Sequence, residues 1–94
     1  MAYTYGPGGG RSAFNVTATT LIKAGPGTVF RVVVVTAPTA AGGVYDSATT
    51  AGISASNQIA TVPLATGPIE LVWPCQNGIV VNPGTGGVVS VSYT

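Results

Sequence analysis

Apolar residues recur along the chain in short runs, and no window of about eleven or more residues carries the helical period. The clearest alternation is Val88–Thr94, V-V-S-V-S-Y-T, which places Val89, Val91 and Tyr93 on one face and Ser90, Ser92 and Thr94 on the other. One face of that strand is wet. In Thr28–Thr36 the first half alternates, with Phe30 opposite Arg31, whereas Val32–Val35 is apolar on both faces and is expected to be a central strand covered twice. In Pro68–Trp73 the set Ile69, Leu71 and Trp73 faces one way, and Glu70 shares the other with Val72. With the shorter apolar pieces, strands are predicted at Ala13–Ala18, Thr19–Lys23, Thr28–Thr36, Gly43–Ser47, Gln58–Val62, Pro68–Trp73, Ile79–Asn82 and Val88–Tyr93.

Glycine and proline set the joints. A-G-P-G between Lys23 and Thr28, Asn77-Gly78, and N-P-G-T-G-G at Asn82–Gly87 are tight-turn sequences, and they predict a chain of hairpins. Ala37–Asn57 is long and rich in small residues, and reads as a loop with a short edge strand near Val44 and Tyr45. Residues 1–12, with three consecutive glycines, read as a flexible N-terminal arm unless a partner orders them. The expected fold is therefore all-β: a single-domain antiparallel sandwich or jelly-roll-like barrel of about seven or eight short strands over residues 13–94, behind the arm. The 14 valines and 13 threonines agree, since β-branched residues suit pleated, half-buried surfaces. Trp73, Phe30 and Tyr93 are strand residues and are expected in the core.

Charge changes the picture most. The chain of 94 residues has three cations, two anions and no histidine, where a typical domain is about a quarter charged. Three cations are too few for a nucleic-acid surface, and no apolar run approaches the roughly 20 residues of a membrane span. The opening MAYTYGPGGGRS lacks a basic start followed by an apolar stretch, so no signal peptide is expected. A nucleophilic serine or Cys75 has no histidine to serve it, and a single cysteine makes neither an intramolecular disulfide nor a zinc site. G-G-G-R-S fails the phosphate-loop spacing, which needs a glycine where Tyr5 stands and a lysine where Arg11 stands. Asp46 and Glu70, the two carboxylates, read as a lone exposed acid and a partner for Arg31 or Lys23. No catalytic residue, cofactor or metal is expected, and the chain reads as a non-enzyme.

A net charge of +1 leaves little repulsion between copies, and a thin core leaves apolar strand surface to cover. A homo-oligomer, a trimer first, is expected. Tyr3 and Tyr5 cannot pack within a glycine-rich arm, so together with Arg11 they are the candidate partner interface.

The order of three pieces adds a resemblance. The run A-T-T-L-I-K-A-G-P-G-T-V-F-R-V-V-V (Ala18–Val34), then N-Q-I-A-T-V-P (Asn57–Pro63), then G-P-I-E-L-V-W-P-C-Q-N-G-I-V-V-N-P-G-T-G-G-V-V-S-V-S-Y-T resembles small virion structural proteins of tailed bacteriophages. It covers roughly residues 11–94, with Pro38–Ser56 least characteristic. The resemblance implies a particle component, and among these a capsid decoration (cement) protein is the preferred member. Such a protein would sit on the virion surface, bind the outside of the assembled lattice of major capsid protein, and stabilise it. A head-fibre or tail-surface module, binding carbohydrate through Thr, Asn and Tyr on exposed loops, is the alternative. The matching motifs are turns and strands, so no functional residue transfers with them.

Overall fold

Eight strands form close to the eight stretches that the sequence predicts. The computed structural model describes residues 10–94. Its strands are β1 (Arg11–Val16), β2 (Thr20–Ala24), β3 (Gly27–Thr36), β4 (Gly42–Tyr45), β5 (Gln58–Val62), β6 (Gly67–Cys75), β7 (Gly78–Asn82) and β8 (Val88–Tyr93), with one 3-10 turn at Ala55–Asn57. Arg11 and Ser12, read from the sequence as the end of the arm, are the first residues of β1, paired with Tyr93 and Ser92.

All pairing is antiparallel: β1 with β8, β2 with β7, β3 with β6 and β4 with β5. Contacts of β3 with β8 and of β4 with β7 complete two sheets, ordered β1-β8-β3-β6 and β2-β7-β4-β5. This order arises when one long hairpin, β1 to β4 outward and β5 to β8 returning, is rolled so that successive pairs fall in alternate sheets. It is a jelly roll.

That rolling corrects the expected chain of hairpins. The A-G-P-G segment carries the chain from β2 in one sheet to β3 in the other, and Gln76-Asn77 carries it from β6 to β7 in the same manner. Both are corners. Gly25, at φ +94°, turns the first, and its amide donates to the Asn77 carbonyl of the second at 3.0 Å, so the two corners are tied together. Of the consecutive strands, β4 and β5 alone share a sheet as neighbours. β4 is also not the edge strand expected, because it lies between β7 and β5 with Val44 fully buried. Glycines at 42 and 43 hide the alternation by which an interior strand is recognised.

The core is largely valine. Val29, Val32, Val34, Val89 and Val91 from the first sheet meet Val44, Val62, Ile79 and Val81 from the second. Tyr93 packs partly buried against this cluster, in line with the alternation of β8, while Phe30 is only half-buried and lies outside it. Val32–Val35 is central but not covered twice: Val35 stays 57% exposed. β7 holds the doubly covered place instead, with Ile79, Val80 and Val81 all fully buried. The difference lies in the flanking side chains, since Val80 stands between its register partners Leu21 and Tyr45 whereas Val33 pairs with Ser90 and Pro68.

Candidate functional site

Two grooves are candidate sites, and one of them forms around Trp73. Register sets Trp73 opposite the fully buried Val29, a core position, but β6 is the outer strand of its sheet. The indole therefore lies at the mouth of the sandwich and is 50% exposed, which corrects its expected place in the core. Just before it, Val72 takes φ +47°, and the pairing of β6 with β3 slips between Val29 and Arg31. A β-branched residue rarely adopts that conformation, and a bulge of this kind re-aims the side chains that follow it.

Across the mouth from Trp73 stand Gln58 and Ile59 of β5 and Ser56 and Asn57 of the 3-10 turn, and Asp46 and Asn77 close one end. The open volume is about 250 Å³. The walls are fixed by local hydrogen bonds. Ser54 and Asn57 form a reciprocal cap on the 3-10 turn, and Asn57 Nδ2 also donates to the Gly52 carbonyl at 2.9 Å. The Asp46 carboxylate accepts three backbone amides of the β6–β7 corner: Gln76 at 3.0 Å, Asn77 at 2.8 Å and Gly78 at 3.3 Å. Partial desolvation disfavours the Asp46 charge, but the three amides together outweigh it and hold its pKa below the usual aspartate value. Its charge is already engaged within the protein.

Behind the groove, Cys75 is buried in the core cluster. Desolvation first, and then the nearby Asp46 charge, push its thiol up to about 11, against a hydrogen bond from the Val29 amide. It is a packing residue.

The second groove, also about 250 Å³, lies on the outer face of the first sheet. Phe14, 75% exposed, overhangs it from β1, with Val33, Ser90 and Ser92 on its floor and Arg31 beside them. Arg31 is paired with Glu70, an exposed ion pair. The two carboxylates are thus engaged separately, Glu70 by Arg31 as one of the expected pairings and Asp46 by main-chain amides. Of the candidate interface residues, Arg11 is exposed at the start of β1, and Tyr3 and Tyr5 lie outside the described residues. Among the described residues no three His, Cys, Asp or Glu side chains gather as a metal site, and no helix is long and apolar enough to cross a membrane.

Phe14, Gln58 and Asn77 emerge from the structure alone. Asn77-Gly78 signalled a turn, but nothing in its sequence signalled that the carboxamide beside it borders a groove. Comparison with known proteins adds nothing further, for no family model, curated protein or solved structure matches the chain.

Proposed function

We propose that this domain is a structural virion protein that binds the outside of an assembled phage capsid and stabilises it, without catalysing a reaction. The observation that carries the reading is the outer face of the first sheet: Phe14, Val33 and Val35 stand exposed or half-exposed around serines and a single self-neutralised ion pair. Such a surface adheres by apolar contact, which tolerates changes in salt better than surface ion pairs do. Supporting it is a fold that viral capsid domains also use, an analogy of architecture rather than of site. A ligand that binds only the assembled lattice stabilises that lattice by its binding free energy, repeated over many copies.

Phe14 is the anchor in this reading. Burying a phenylalanine contributes about 1.5–3 kcal/mol, so Phe14→Ser is expected to weaken binding to undecorated shells at least tenfold, or about 1.4 kcal/mol per site. The measurement is a titration of shells with the full chain, with Phe14→Ser and with residues 2–10 removed. Loss of affinity on the truncation alone assigns the contact to Tyr3 and Tyr5 and moves the interface away from Phe14. If the full chain binds no shell, the head-fibre or tail-surface reading replaces this one. Ultracentrifugation of the free protein tests the accompanying homotrimer, which a 9.2 kDa species at micromolar concentration would overturn.

A further inference from the structure

We propose that the groove at Trp73 is a binding site for one neutral sugar ring of a glycan, independent of the particle-binding surface around Phe14. Trp73 supplies what a pyranose ring needs first. Its indole is a flat apolar platform, half exposed on a strand held by the pairing of β6 with β3, on which the C–H face of a sugar can stack.

The surrounding groups select the rest of the ligand. The rim is polar and offers no attraction for an anion, since neither Arg nor Lys lines the groove and its one charge is the Asp46 carboxylate, held by three amides. An anionic ligand would meet Asp46 with no cation to offset it. Hydroxyl groups, by contrast, find a free partner: the Asn77 carboxamide has no hydrogen-bond partner among the described residues, whereas the Gln58 carboxamide is turned away over Gly43, its Nε2 held by the Ala60 carbonyl at 3.1 Å. A carboxamide both donates and accepts, as a sugar hydroxyl does. An apolar ligand fits less well, because Ile59 is the one aliphatic side chain facing the indole.

Size and rigidity complete the case. An open volume of about 250 Å³ is just below the roughly 300–1,000 Å³ that hold drug-sized molecules, which limits the occupant to about one ring with its neighbours in solvent. The walls need little ordering on binding, since the Ser54–Asn57 cap fixes one side and Asp46 fixes the corner bearing Asn77 on the other.

Trp73 is the sole tryptophan, so its emission reports on this groove alone. The test titrates the full chain with the methyl glycosides of glucose, galactose, mannose and N-acetylglucosamine, and with methyl glucuronide as the anionic counterpart. At least one neutral glycoside is expected to shift the emission saturably, with Kd on the order of 1 mM, and glucuronide to bind less tightly than glucoside. Asn77→Ala retains the fluorophore and changes an exposed side chain, and it is expected to weaken the binding at least about tenfold while circular dichroism is unchanged. No saturable shift with any of the four up to about 100 mM, undiminished binding by Asn77→Ala, or preference for glucuronide would each overturn the proposal. None of these outcomes bears on capsid attachment, which the shell titration reads separately.

Discussion

The backbone amide of Asn77 donates to the Asp46 carboxylate at 2.8 Å, which joins the end of β4 to the corner between β6 and β7 across 31 positions of sequence. Two further amides of the same corner share that carboxylate. Hydrogen bonds to a charged group contribute about 1.5–3 kcal/mol each when well formed, less where solvent competes, so Asp46→Ala is expected to destabilise the domain by about 2 kcal/mol in denaturant unfolding. The same contact gives an acid limb. Because the folded pKa lies below the unfolded one, this stability is fully present above the ordinary aspartate value near 4 and is lost as pH falls through the folded value. Asp46→Asn should flatten the fall in melting temperature between neutral pH and about pH 3.

Gly42 and Gly86 separate lack of space from lack of conformational freedom. A Cβ at Gly42 would run into the backbone of Asn82 and Gly84, and backbone there cannot move aside without parting β4 from β7. Gly86, at φ +73°, has nothing near its missing side chain. Thermal unfolding should show Gly86→Ala losing about 1–2 kcal/mol, the penalty of a left-handed conformation, and Gly42→Ala losing at least about 3 kcal/mol or failing to fold.

Val72 is exposed and holds φ +47°, where asparagine is far more at ease than a β-branched residue. Val72→Asn is expected to stabilise the domain by about 1 kcal/mol in urea unfolding.

Cys75 offers a chemical check on the core. With the thiol buried and its pKa raised to about 11, the native protein at pH 8 should react with a disulfide reagent only as fast as it opens, whereas the unfolded chain reacts at once. Prompt labelling of the native protein would place Cys75 outside the core.

The strands were legible because β8 and β7 declare themselves locally, one by strict alternation and one by its apolar run, Ile79–Val81, between Gly78 and Asn82. Sheet membership was not. Asn77-Gly78 and Gly25-Pro26-Gly27 have the residues of a hairpin turn and of a corner alike, and what decides between them is whether the next strand pairs with the last one or with a strand far away. Trp73 shows the same limit at the level of a side chain: its parity marks it as inward, and parity is right, but the position of β6 at the rim depends on the other seven strands. The Asp46 cap was illegible for a simpler reason, since a carboxylate seeking main-chain amides leaves no mark on the residues that donate them.

The rolled strand order also governs how the molecule comes into being. The first six-residue strand pairs with the last, and β2 waits for β7, so neither sheet closes until nearly the whole chain has been made. Topologies dominated by such distant pairings fold in milliseconds to seconds, and in that interval Val32–Val35 is an open apolar strand in a chain with almost no charge to keep its neighbours away. The yield of native protein should therefore fall with rising chain concentration during refolding long before the folded state itself shows any tendency to aggregate.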